Sequence, residues 1–407
     1  MSFSSTLPKT EIQTRLNRLQ TLLEKLRPTV DGLMLFSRLN IYYCTGTLAN
    51  GIFWLPKEGD PTLFVRKGIE RAIVESPHIH AVPFRSYSEL LPAIGKNTAI
   101  TRIAAEKNTL PWHLGEMLQQ KCPSVQFVSG EGIINSARTI KTAYELDLMR
   151  LAGERHRASM CDIFPTRMKA GMSELELSHI LLNIMLERGH GGLSRLNAFG
   201  EEVFLGHLTV GENGAYPSYY NGPLGVLGQH PANPFAGSAG HIWQKNMIVS
   251  VDIGFFLEAY QTDKTQVYFS GKPADIPPAA QKAHDFCLRI EEDTAKALVP
   301  GAIPSALYLT ALERADKAGY AKTFMGHAGN QVPFIGHGIG LAIDEPPVLA
   351  RRFDKPLEPG MTLALEPKIT VPGIGMVGSE NTYIVADGGA EPLTGPPLPI
   401  ICVEVRE

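Results

Sequence analysis

The sequence contains no CxxC pair, and its five cysteines (Cys44, Cys122, Cys161, Cys287 and Cys402) are scattered and odd in number. That argues against a thiolate zinc site and points to a reducing compartment. No run of eighteen consecutive apolar residues occurs, so no membrane-spanning helix is expected. The opening MSFSSTLPKTEIQTR lacks an apolar core region, so no secretory leader is expected. The net charge is only −3, which leaves no broad basic field to recommend nucleic acid or an anionic membrane. The default is a soluble cytoplasmic protein. At 407 residues the chain is too long for one ordinary core, so two domains are expected.

Helix-start signals organise the chain. Thr10 and Gln13 read as a capping box before a stripe of Ile12, Leu16, Leu19, Leu23 and Leu26. Short apolar runs follow: DGLMLF, GIFWLP, PTLFVR, AVPF, TRIAAE and VQFV. Helices or loops separate them, which suggests an α/β layer. Thr142 with Glu145 opens a second helical region, with Tyr144, Leu148, Leu151 and Ala152 on one face. The boundary is placed just before it, giving domains 1–138 and 139–407. Ser173 with Glu176 starts a further helix that Gly189 ends. Residues 205–245 are rich in Gly, Pro and Asn, and loops of that length are more often functional than idle. Two helices and a glycine- and proline-rich β region complete the second domain.

The stretch VDIGFFLEAYQTDKTQVYF, residues 251–269, reads as a hairpin. A tight connection centred on Leu257-Glu258 would set Asp252 opposite Asp263, on one face of the sheet. Two carboxylates that close need a proton or a cation between them, unless one aspartate belongs to the turn. The stretch alone does not choose. His337 in FIGHGIGL, Glu366 in MTLALEPKI and Glu380 in GSENTYIV are each polar within segments that otherwise read as buried. Singly they are weak signals, since a lone buried histidine is usually a satisfied core residue and a strand-end glutamate a surface one. Together, one imidazole cannot neutralise four carboxylates, whereas two divalent cations can.

The segments VDIG…YQTDKT, GHGIGL…DEPP, LEP and SENT resemble those of the metallopeptidases of the pita-bread fold, and in particular the Xaa-Pro peptidase branch. The resemblance covers nearly the whole chain. It implies an α/β creatinase-like N-terminal domain followed by an α+β pita-bread catalytic domain. It implies that Asp252 chelates one metal, that Asp263 and Glu380 bridge both, and that His337 and Glu366 complete the other. Thr265 and Thr382, each two residues past a ligand, are implied to orient it. The implied reaction is hydrolysis of small Xaa-Pro peptides by a metal-bridging hydroxide, with Glu366 as proton shuttle. Mn²⁺, Co²⁺, Zn²⁺ and Fe²⁺ all suit such donors. A homodimer is implied as well, with the N-terminal domain forming the contact.

Two departures bear on the reaction. The loop GENGAYPSYYNG has Ser218 where that branch carries a histidine, and DEPP has Asp344 where it usually carries another. Gln266 stands where an arginine is common. Ser218 can donate to a developing oxyanion. Asp344, when ionised, can only accept, from a substrate ammonium or as a base. Glu366, Asp344 and Ser218 are therefore the candidate catalytic residues. Ser218, Tyr219, Asp344 and His207 are the candidates for binding substrate, though a tyrosine-rich loop can equally pack on itself, and the alternative for Asp344 is that it merely caps a turn before Pro346-Pro347. The alternative function keeps the fold and metals but makes the protein a lyase or an amidinohydrolase-like enzyme on a small metabolite. A metal-free binding module is disfavoured by five intact ligands.

Overall fold

The computed structural model describes residues 6–95, 99–197, 202–234, 236–327 and 329–403. The first five residues, part of the stretch read for a leader, lie outside them. The chain forms two compact units, Met1–Arg138 and Thr139–Glu407.

The first unit is α/β. All six apolar runs become strands of one mixed sheet, in the order His80–Pro83, Thr62–Lys67, Asn50–Pro56, Gly32–Leu35, Arg102–Ala105 and Gln126–Ser129. Its centre is dry, with Leu33, Leu35, Phe53, Leu55, Leu63 and Ile103 fully buried. The helix Lys9–Leu26 buries Ile12, Leu16, Leu19 and Leu23, the expected stripe less its last member. The Thr10–Gln13 capping box does not form. Pro8 is the N-cap, so Thr10 already lies inside the helix, and the Gln13 amide donates to Asn17 instead.

The second unit is α+β. Its first helix, Ala143–Arg157, is capped as expected: Thr142 Oγ1 accepts from the Glu145 N–H and Glu145 Oε2 accepts from the Thr142 N–H. Its buried face is Glu145, Met149, Ala152 and His156, while Leu151 is 39% exposed. The face is turned because Glu145 is drawn inward, its Oε1 accepting from the Tyr260 hydroxyl at 2.7 Å. The helix Glu174–Glu187 carries the second expected capping box.

A four-stranded sheet runs Ile401–Val403, Tyr260–Ser270, Ile248–Leu257, Gly206–Val210. A five-stranded sheet runs Glu345–Ala350, Phe334–Gly338, Thr362–Leu365, Asn381–Ile384, Glu391–Pro392. A short ladder pairs Lys368–Val371 with Gly375–Gly378. The helices Pro278–Ala297 and Pro304–Lys317 pack on one large apolar core with residues from both the four- and five-stranded sheets. An isolated bridge, Thr265 to Glu380, joins the aspartate hairpin to the second sheet.

The hairpin register differs from the expected one. The turn is Glu258-Ala259, both at positive φ (46° and 77°), so Leu257 pairs with Tyr260. Asp263 therefore faces Gly254, and Asp252 faces Thr265. The two carboxylates remain on one face as diagonal neighbours, because positions 252 and 254 share a side of the pleat.

Candidate metal centre and its cavity

Five strands converge on the candidate ligands. Asp252 and Asp263 come from the hairpin. His337 sits on Phe334–Gly338, Glu366 follows Thr362–Leu365, and Glu380 precedes Asn381–Ile384. These three segments lie side by side, with His337 paired to Ala364 and Ala364 to Thr382. One ligand atom each from Asp263, His337 and Glu380 fall within 4.8 Å of one another, as do those of Asp252, Glu366 and Glu380. Asp263, Glu366 and Glu380 are buried.

The cluster behaves as a group short of positive charge. Burial, then the charge of Asp252, push the Asp263 carboxyl up to about 7. Burial and the neighbouring Asp263 likewise raise Glu380 well above the carboxylate range. Burial opposes charging of His337, yet the hydrogen bond and charge of Glu366 raise it to about 9, with Nε2 3.4 Å from Glu366 Oε1. These are the protonations that a cation would displace. His337 Nδ1 lies 3.1 Å from the Gly338 carbonyl. Donation there leaves the Nε2 lone pair free for a metal.

Thr265 and Thr382 do contact the cluster, but crosswise. Thr265 Oγ1 donates to Glu380 Oε2 at 2.9 Å, and Thr382 Oγ1 accepts from the Asp263 N–H at 2.8 Å. Each hydroxyl serves the ligand on the opposite strand, because the bridge pairs Thr265 with Glu380.

Lys368 was not singled out by sequence reasoning. It is fully buried, and its Nζ lies 3.0 Å from Asp252 Oδ2, 3.0 Å from Glu366 Oε2 and 2.7 Å from Glu380 Oε2. Burial opposes its charge, but these carboxylates hold the ammonium well above the usual lysine value. Burial opposes ionisation of the half-buried Asp252, but the charge of Lys368, and then of His207, pulls its carboxyl below its ordinary value. The available signal was a second charged residue inside ALEPKITV, two positions past a candidate ligand.

The cluster lines a cavity of about 390 Å³, whose walls include His207, Tyr220, Phe334, Ile343 and Asp344. His207 is paired with Asp252 across the sheet, and its ring packs on Tyr220 with centroids 5.1 Å apart. Asp344 Oδ1 accepts from the Asn197 N–H at 2.6 Å, and burial raises its carboxyl. Ser218 lines a neighbouring cavity of about 210 Å³ instead, and its Oγ accepts from the Tyr220 N–H. Tyr219 is 65% exposed and stacks on Tyr220. The loop is held from behind by Glu174, fully buried, which accepts from the N–H groups of Val210 and Ser238 and the Asn213 amide.

The donor chemistry fits a divalent ion at Asp263, His337 and Glu380, where two carboxylates and an imidazole converge and only Glu380 also meets Lys368 Nζ, at 2.7 Å. At Asp252, Glu366 and Glu380 the converging atoms already surround an ammonium.

A buried carboxylate–imidazole cluster under a cavity, on an α+β unit that follows an α/β unit, is the layout of a metal-dependent hydrolase of two domains. The chain belongs to metallopeptidase family M24, whose model matches residues 147–387, and the model of the creatinase/prolidase N-terminal domain matches residues 15–140. The chain is 23% identical over 367 residues to the Xaa-Pro dipeptidase of Pyrococcus furiosus, covering 90% of this chain and 94% of that one. It is 28% identical over 306 residues to a putative dipeptidase of Bacillus subtilis, covering 75% and 74%. The fold matches the prolidase of Pyrococcus horikoshii OT3 with a TM-score of 0.77 at 22% identity, over 94% and 98% of the chains. It matches the Xaa-Pro dipeptidase of Bacillus anthracis with a TM-score of 0.79 at 22% identity, over 96% and 99%. The expected fold, creatinase-like then pita-bread, is the one observed.

Proposed function

We propose that this metallopeptidase hydrolyses small Xaa-Pro peptides, dipeptides foremost, in the 390 Å³ cavity. The observation that carries the reading is the convergence of Asp263, His337 and Glu380 within 4.8 Å at the wall of that cavity. The names of the relatives support the substrate class. The catalytic domain is read as residues 139–407 and the creatinase-like domain as 1–138, in keeping with the two compact units.

In this reading Asp263, His337 and Glu380 would hold a divalent ion; the expected pair had Asp252 on one ion and His337 with Glu366 on the other, whereas the ligand atoms bring Asp252, Glu366 and Glu380 together as the second group. A bound ion supplies acidified water and polarisation of the scissile carbonyl. Glu366 is the proton shuttle, positioned between His337 Nε2 and Lys368 Nζ. Asp344, at the cavity wall, is placed to accept from a substrate ammonium. His207 and Tyr220 give the pocket an aromatic side for an apolar ring such as proline's.

Mn²⁺ is the first ion to test among Mn²⁺, Co²⁺, Fe²⁺ and Zn²⁺. The five free cysteines support a reducing, cytoplasmic setting. No described helix is long and apolar enough to cross a membrane. A homodimer is part of the reading, on the strength of the resemblance of the first unit. The test is hydrolysis of a panel of Xaa-Pro dipeptides by chelator-stripped protein with and without added Mn²⁺, beside Asp263→Asn. Metal-dependent cleavage that Asp263→Asn abolishes is expected. Cleavage of none of the panel with any of the four ions overturns the reading.

A further inference from the structure

The Lys368 ammonium lies within 3.0 Å of the same three carboxylates that form one of the two candidate ion positions. We infer that the lysine is the resident cation of that position, so the centre holds one divalent ion, at Asp263, His337 and Glu380, rather than two. This rests on the metallopeptidase reading and narrows its metal count.

Three observations carry it. The first is identity of place. The carboxylates around Lys368 Nζ are Asp252, Glu366 and Glu380, and these are the ones whose oxygens fall within 4.8 Å of one another. An ion drawn to the centre of that group would meet the ammonium. The two ions of a dinuclear site sit about 3.5–4 Å apart and share bridging carboxylates, a geometry that leaves no space for a third positive centre among the same oxygens.

The second is charge. Asp252, Asp263, Glu366 and Glu380 bring four negative charges when ionised. Two dications already balance them, so a buried ammonium beside two dications adds a fifth positive charge that only a further anion, such as a hydroxide, would offset. One dication with the ammonium brings three positive charges to those four carboxylates, without a second ion.

The third is room. Lys368 is fully buried, so its stem has no path to solvent. Its cross-strand partner is Gly378, where a Cβ would lie 2.7 Å from Lys368 Cα and 2.9 Å from its Cγ. Glycine at that position opens the space the lysine stem fills. The sequence thus carries both the ammonium and the gap that admits it, which a lysine displaced by metal would not need.

The consequence for the site is that the ammonium fixes Glu380 and Asp252 and adds a hydrogen-bond donor beside Glu366. The charge it supplies is half that of the ion it replaces and cannot be stripped by a chelator.

The test counts ions on the full-length chain. Chelator-stripped wild type and Lys368→Met are titrated with Mn²⁺ alone by calorimetry and counted by elemental analysis. Wild type is expected to bind about one Mn²⁺ per chain and Lys368→Met about two, because three carboxylates are then freed for a second ion. Two ions in wild type overturn the inference while leaving the peptidase reading standing, and so does a count of one in both proteins. No ion in wild type overturns both. Should Lys368→Met fail to fold, anomalous scattering from Zn²⁺-loaded wild-type crystals decides. One peak among Asp263, His337 and Glu380 supports the inference, and a second among Asp252, Glu366 and Glu380 overturns it.

Discussion

Thr265 Oγ1 donates to Glu380 Oε2 at 2.9 Å, and the Thr265 N–H donates to the Glu380 carbonyl at 3.2 Å. This double attachment holds the strand-end glutamate against the hairpin that carries Asp252 and Asp263. Glu380 belongs to both candidate ion positions, so its orientation governs the whole cluster. Removing the hydroxyl alone leaves the backbone bond and the packing of the methyl group. Thr265→Val is therefore expected to fold and to weaken Mn²⁺ binding by roughly 10-fold or more, the usual effect of losing a partner that orients a ligand. Calorimetric titration checks it, and Thr265→Ser should restore the affinity. Equal affinity in wild type and Thr265→Val would mean that Lys368 alone fixes Glu380.

Acid stability should follow two buried histidines that are not candidate ligands. His190 Nδ1 accepts from the Phe256 N–H at 2.9 Å, which requires the neutral ring, and burial lowers its value from 6.5 to about 4. His156, whose ring like that of His190 packs on Phe255, is held well below its ordinary value, first by burial and then by the charge of Lys264. A histidine depressed in the folded state takes up its proton more readily when unfolded. Its contribution is fully present above the unfolded value near 6.5 and is lost as pH falls toward the folded one. For His190 alone the loss is on the order of 3 kcal/mol across that window. Urea melts at about pH 7, 5.5 and 4.5 should show the decline, and His190→Gln should flatten part of it. Coincident slopes for the two proteins would refute the assignment.

The sequence made the elements legible where the signal was local. The capping boxes at Thr142 and Ser173 formed, and all six apolar runs became strands, because each depends on neighbours within a few residues. The same reasoning failed at Thr10, where Pro8 started the helix earlier. It failed by two residues in the hairpin register, which was set by the positive φ of Glu258 and Ala259, residues with no strong turn preference. The candidate ligands stood out because each was a polar residue in a buried run. Lys368 carried the same signal and was passed over, since a lysine usually reads as solvated. The crossing of Thr265 and Thr382 between strands depends on pairing more than a hundred residues apart, which spacing along the chain does not encode.

The sequence offers Asp344 and Ser218 as candidates for substrate chemistry, and the structure separates them. Asp344 lines the cavity of the cluster, with its Oδ1 held by the Asn197 N–H, whereas Ser218 lines the neighbouring cavity and is engaged with the Tyr220 N–H. Ser218→His should therefore leave turnover of a Leu-Pro dipeptide within about threefold, a change too small for a lost transition-state contact. Asp344→His brings an imidazole donor to the cavity wall, and a single oxyanion donor is worth roughly 10² to 10³ in rate. A rise of on the order of tenfold or more is expected, kept below the full range because the histidine also gives up the Asn197 contact. Asp344→Asn discriminates the reaction class. In a peptidase driven by the metal and Glu366 it should cost less than about tenfold in kcat, with KM rising because a substrate ammonium loses its partner. In a lyase that uses Asp344 as its base, the same change removes the proton acceptor and abolishes turnover. The assay is kcat and KM for Xaa-Pro dipeptides and for small amidino and onium metabolites, with Mn²⁺, on wild type and the three variants. Loss of all turnover in Asp344→Asn, together with activity of the wild type on an onium metabolite, would move the protein from the peptidases to the lyases.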